Sequence, residues 1–219
     1  MPTEQTESTT AARASVTGYR LILPDDWTQI PLRHGTEEAV RRILDEAFSS
    51  IPPGSPEDKI GPYKHELERR FRAAVRRAQE GKALDLYLPV RSMSNANLGA
   101  SIVVSESFLP GRREQAAHSE PTDVAMQLLS SDGAENADLS SGELDGALAV
   151  RREHIADADR GAALGSRHVE YVVSVPDDPD RWFAAAFSTV GGGDPRDELA
   201  DALVEWFDAV MATLRWRRG

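Results

Sequence analysis

Period-two and helical patterns in one chain together predict an α+β fold: an antiparallel β-sheet flanked by helices, an αβα sandwich with a long C-terminal helix packed on the sheet. Three observations support this. Apolar and polar residues alternate through five stretches between Leu84 and Val190, as strands do when one side faces a core. The connections between the later stretches are short, which favours antiparallel neighbours. Leu199, Leu203, Trp206, Phe207, Val210, Met211 and Leu214 recur at helical spacing and form a stripe wide enough to cover a sheet. With 219 residues, 40% of them apolar, the chain can bury a real core without covalent staples.

Residues 1–17 are rich in Thr, Ser, Glu and Ala. Val16 is their only large aliphatic after the initiator Met, too little to offset the entropy of ordering, so they are expected to form a disordered tail. A single α+β domain is expected over 18–219. Tyr19 to Leu23 is a β-prone run stopped by Pro24-Asp25-Asp26, and Trp27 to Leu32 resumes an extended pattern. Thr36 is placed as an N-cap, with Glu37 and Glu38 in the first turn and Val40, Ile43, Leu44, Ala47 and Phe48 at helical spacing, before Pro52-Pro53-Gly54. A second helix is expected from Pro62 to Glu80, with Tyr63, Leu67, Phe71, Val75 and Ala78 on one stripe. It carries Glu66/Arg70 and Glu68/Arg72 pairs at i,i+4 and Gly81 as its stop.

Leu84–Val90 and Ala100–Phe108 read as strands joined by the polar connection Ser92–Gly99. Pro121 to Ser131 reads as a short helix with Val124, Leu128 and Leu129 on its apolar side, and Ser130 to Ser141 as a mobile surface loop. A third strand alternates from Leu144 through Glu153, a fourth spans Val169–Val175, and the turn Pro176–Asp180 leads to a fifth, Trp182–Val190. Asp194 suits an N-cap, Pro195 the first position of the final helix, and Arg215, Arg217 and Arg218 its negative end.

The 25 basic and 36 acidic residues give a formal charge of −11, which disfavours nucleic-acid binding. The absence of cysteine excludes disulfides and thiolate chemistry, and no apolar window is long enough to span a membrane. No secretory signal is visible at the N-terminus, so a cytoplasmic location is expected. No metal or cofactor site is expected either. His34, His65, His118, His154 and His168 are scattered, and Arg69 stands where H-E-x-x-H needs its second ligand. Asp157-Ala158-Asp159 begins like a calcium loop, but His168 occupies the twelfth position. Gly191-Gly192-Gly193 lies where phosphate-binding glycines occur, yet Asp194 would repel the anion, so a flexible turn is expected. No G-x-S-x-G elbow is present.

Charge is unevenly spread. Between Lys64 and Lys82 seven basic residues meet three acidic ones, a local net of +4. Between Glu120 and Asp159 ten acids meet only Arg151 and Arg152, a net of −8. The plain reading is a solvated helix face and an acidic surface loop. The sharper one is a basic helix, with Arg69, Arg72 and Arg76, that docks an acidic protein partner or a sister subunit. Trp216, beyond the helical stripe, is either a satellite core contact or an exposed anchor for that partner.

Leu23-Pro24-x-x-Trp27, the antiparallel strands and Phe207-x-x-Val210-Met211-x-x-Leu214-Arg215 together resemble the PsbP-like αβα sandwich superfamily. That group includes photosystem accessory proteins, a Ran-binding nuclear-transport factor, actinobacterial lipoproteins and chaperones of secretion effectors. The abundance of Arg and Ala is similar to actinobacterial proteins. The resemblance implies a non-enzymatic adaptor, chaperone-like or accessory factor and carries over no catalytic residue. Exported members have a signal or lipobox cysteine, which this chain lacks. Two other functions stay open: a structural component of a multi-subunit or secretion-associated assembly, and an enzyme whose site assembles only in three dimensions.

Overall fold

The computed structural model describes residues 15–49, 51, 57–89, 99–108, 121–130, 137–158 and 164–219. The elements are β1 (Val16–Arg20), β2 (Trp27–Pro31), α1 (Thr36–Ser49), α2 (Glu57–Glu80), β3 (Asp85–Pro89), β4 (Ala100–Phe108) and α3 (Pro121–Ser130), followed by β5 (Asp138–Leu144), β6 (Ala147–Ala156), β7 (Ser166–Val175), β8 (Asp178–Thr189), α4 (Glu198–Ala212) and β9 (Arg215–Arg218). Seven strands form one antiparallel sheet in the order β2-β3-β4-β8-β7-β6-β5, while β1 and β9 pair as a separate ribbon.

Alternation assigns each face its cover. One row crosses all seven strands through Gln29, Tyr87, Ile102, Phe187, Val169, Glu153 and Asp138. Its apolar middle packs beneath α4 and the ribbon, in a core with Phe183, Phe207, Met211 and Leu214. The neighbouring row Ile30–Leu86–Val103 points the other way, against Val40, Ile43 and Leu44 of α1 and Val75 of α2. On that face α3 covers Val150, Val172 and Trp182 with Ala125 and Leu129. The α+β sandwich is therefore as expected, with both sheet faces covered.

The differences lie at element ends. β1 begins at Val16, two residues before the expected Gly18, because it is held from outside by a ladder to β9 that no local pattern announces. The rest of the expected tail, 1–14, lies outside the described residues, as do the Pro52-Pro53-Gly54 stop, the Ser92–Leu98 part of the connection, and the side chains of Val124 and Leu128. Thr36 does not cap α1. Its hydroxyl donates to the Pro31 carbonyl at 2.7 Å, while the Gly35 carbonyl takes the first helical bond, from the Ala39 N–H at 3.1 Å. α2 starts at Glu57 and incorporates Pro62 in its second turn, and Tyr63 stands 59% exposed rather than on the buried stripe.

The expected third strand is a hairpin. Asp145 (φ 48°) and Gly146 (φ 74°) reverse the chain between β5 and β6, and β5 takes up Asp138–Leu144, part of the expected loop. Two consecutive left-handed residues form the two-residue turn that suits strand twist, and Asp-Gly is its favoured pair. β5 is polar because it is an exposed edge, so alternation does not reveal it.

The last helix also starts later than expected. Asp197, not Asp194, is its N-cap: its carboxylate accepts from the Ala200 N–H at 2.7 Å and the Gly192 N–H at 2.7 Å. Asp194 closes a local turn on the Arg196 N–H, and the buried residues of the helix are Ala200, Val204, Phe207, Val210 and Met211, the last three on the expected stripe, while Leu199 is 38% exposed. The glycine turn thus already holds a carboxylate where a phosphate would sit. Gly191 (φ +58°) has no room for a Cβ, which would lie 2.4 Å from the Asp197 carboxylate. The terminal arginines do not extend the helix; they form β9.

Candidate functional site

Where the central row leaves the cover of α4, its residues turn polar, and a hollow opens at each end. The larger, a cleft of about 680 Å³, lies between the β1–β9 ribbon and the β2–β3 edge of the sheet. Its floor is Asp85, buried at 8% exposure at the start of the otherwise apolar β3. One carboxylate oxygen accepts from the Tyr19 hydroxyl at 2.5 Å and the other from the Gln29 amide at 2.7 Å. Tyr19 lies 3.0 Å from the Tyr87 hydroxyl. Since Tyr19 has one proton and places it on Asp85, Tyr87 donates to Tyr19, and a relay runs from Tyr87 through Tyr19 to the carboxylate.

The protonation states follow. Burial, then the neighbouring Tyr87 and the Asp85 charge, hold the Tyr19 hydroxyl far above the ordinary tyrosine range. Burial pushes Tyr87 up to about 12. Both hydroxyls stay protonated donors at any physiological pH. At the back of the cleft Arg181 of β8 bonds Glu106 of β4 and donates to the Val16 carbonyl at 2.8 Å, clamping the ribbon to the sheet. Arg33 approaches Glu106 only to 3.9 Å.

The second hollow, about 550 Å³, lies at the opposite end of the row beside Asp138, Glu153, Arg167 and Asp201. Its charges are largely spoken for. Arg167 bridges Glu153 at 2.6 Å to Asp201 of α4, and Arg151 bridges Glu153 to Asp208, which also accepts from Tyr171 at 2.9 Å. Burial alone would raise the Glu153 carboxyl, but the two guanidinium bonds outweigh it and hold it low. This network docks α4 onto β6 and β7.

Of the residues singled out in the sequence, Arg69, Arg72 and Arg76 share α2, and Trp216 lies apart from them on β9. Arg69 forks onto Glu66 with two bonds of 2.8 Å, and Arg70 shares that carboxylate. These bonds, that from Arg69 foremost, lower the Glu66 carboxyl to about 2. Arg72 joins Glu68 at 2.9 Å to Glu37 of α1 at 2.8 Å, so it ties the two helices, and Arg76 is exposed. Trp216 takes the core alternative: half-buried, its indole meets Phe183 edge-on at 5.8 Å, and its N–H finds no partner among the described residues. The histidines are less scattered than their numbering suggests, because β6 and β7 stack His154 on His168 at 5.0 Å. No group of three or more metal-ligating side chains occurs among the described residues.

Asp85, Tyr19, Gln29 and Arg181 were not singled out by sequence motifs. The available signal was one acid in Leu84-Asp85-Leu86-Tyr87-Leu88, since Asp is depleted in strands and needs partners when buried there.

The antiparallel αβα sandwich is weakly similar in fold to two solved structures. Over 95% of this chain and 87% of the other, it matches the crystal structure of LpqN, involved in cell envelope biogenesis of Mycobacterium tuberculosis, at 13% identity and a TM-score of 0.44. The solution structure of cyanobacterial PsbP (CyanoP) from Synechocystis matches over 99% and 100% of the two chains, at 13% identity and a TM-score of 0.42. No family model matches, and no curated protein does.

Proposed function

We propose that this chain is a non-catalytic protein-binding module, an adaptor, chaperone-like or accessory factor. The observation that supports the reading is the state of the cleft. An enzyme doing acid–base work needs a group poised near working pH. In the relay on the cleft floor both tyrosines are displaced upward, away from neutrality, and Asp85 is fixed by two donors, while His34 also lines the cleft. Such a network holds shape and offers contacts; it does not shuttle protons. The exposed cationic face of α2 adds a second surface suited to an acidic partner.

Affinity purification from the native host tests this. The wild-type chain is expected to recover a protein at fixed stoichiometry. A variant carrying Arg69→Glu, Arg72→Glu and Arg76→Glu is expected to recover less of it, and unaltered recovery would remove α2 from the interface. Recovery of no protein at a fixed ratio would overturn the reading.

A further inference from the structure

We infer that the cleft between the β1–β9 ribbon and the β2–β3 edge binds a carboxylate-bearing segment of a partner polypeptide, held by Arg20, Arg33 and Arg217. The inference rests on the binding-module reading and gives it a location and a chemistry. Every hydroxyl proton of the relay is used internally, Tyr87 on Tyr19 and Tyr19 on Asp85. The donors left over at the cleft are chiefly guanidinium groups. Arg20 and Arg217 line it and make no side-chain hydrogen bond or ion pair among the described residues, and Arg33 stands too far from Glu106 to hydrogen-bond it.

Four arginines and two carboxylates line the cleft, a local net of +2 on a chain whose total is −11. Arg181 is committed to Glu106 and the Val16 carbonyl, and Arg33 forms a loose 3.9 Å ion pair with the same Glu106, so the charge without an ion pair among the described residues lies at Arg20 and Arg217, with Arg33 only loosely held beside them. An excess this small fits one or two carboxylates, and the acidic remainder of the molecule repels an extended polyanion. Leu21, Leu23 and Trp27 form an apolar wall in the same cleft, which suits the aliphatic neighbours of an acidic side chain in a polypeptide. Its volume falls within the roughly 300–1,000 Å³ usual for ligand clefts. Forked guanidinium–carboxylate contacts supply both energy and orientation.

The test is titration of the full chain with the peptide acetyl-Glu-Leu-Glu-Leu amide and its acetyl-Gln-Leu-Gln-Leu counterpart, followed by calorimetry and by amide shifts of Gly18, Arg33 and Tyr87. The Glu peptide is expected to move those three signals, and the Gln peptide to bind about tenfold more weakly or worse, the cost of losing one or more charge-assisted bonds. Arg20→Gln with Arg217→Gln is expected to raise the Kd of the Glu peptide by a similar factor while the melting temperature holds. Equal affinity for the two peptides, or no binding of either, would overturn the assignment. Shifts centred on Arg69, Arg72 and Arg76 would also overturn it while leaving the binding-module reading intact, since that reading falls only with the partner recovery described above.

Discussion

Asp85 is a carboxylate held inside a sheet by neutral donors, and its surroundings explain why it is tolerated. A buried charge without partners is costly, and hydrogen bonds to a charged acceptor are each worth about 1.5–3 kcal/mol. Tyr19 supplies the closest donor, and Tyr87 acts one step removed. Tyr19→Phe is therefore expected to lower unfolding free energy by about 2 kcal/mol, and Tyr87→Phe by about 1 kcal/mol or less, read from urea midpoints at constant m-value. An equal or reversed order would show that the relay does not run toward Asp85. The position was legible in one respect only. A single acid within an aliphatic strand marks a buried polar contact, but its partner Tyr19 sits 66 residues away on a strand of the ribbon, and nothing local joins them.

The elements divide by how they are stabilised. Those held by their own periodicity, α1, β4, the later turns of α2 and the middle of α4, stand where spacing puts them. Those held by distant partners do not. Arg215, Arg217 and Arg218 suit the end of a helix dipole, yet they form β9, which pairs with β1 across nearly the whole chain. The first part of β5, Asp138–Ser141, resembles loop because a strand exposed on both sides shows no alternation, although Asp145-Gly146 is a usable turn signal. The end of α2 shows a smaller mismatch. The Ala83 N–H bonds the Ala78 carbonyl and the Lys82 N–H bonds that of Gln79, a Schellman arrangement with Lys82, not Gly81, at the left-handed position (φ 56°). A left-handed non-glycine residue costs about 1–2 kcal/mol, offset in part by the greater unfolded-state freedom of glycine. Lys82→Gly is thus expected to stabilise the protein by about 0.5–1 kcal/mol in chemical denaturation. Destabilisation would mean that the Lys82 side chain makes a contact that matters more than the strain.

Across the molecule, a single row of side chains accounts for the layout: apolar in the middle beneath α4, polar at both ends. Trp27 stacks on Trp206 at 4.6 Å at one end, and Arg151 and Arg167 hold α4 at the other. The cleft exists only because the two-strand ribbon, built from residues 16–20 and 215–218, closes over the β2–β3 edge and is clamped by Arg181. The chemistry of the cleft is therefore a property of the closed fold and not of any motif, which is why composition and spacing could exclude reactions but could not locate the site. The most direct check is a pH titration of tyrosine ring Cζ resonances in the intact chain, assigned with Tyr19→Phe and Tyr87→Phe. Tyr87 is expected to ionise near pH 12, and Tyr19 to stay protonated for as long as the protein remains folded. Ionisation of either relay hydroxyl at or below the ordinary tyrosine value of about 10 would contradict the account, because the relay would then titrate instead of acting as a fixed donor network.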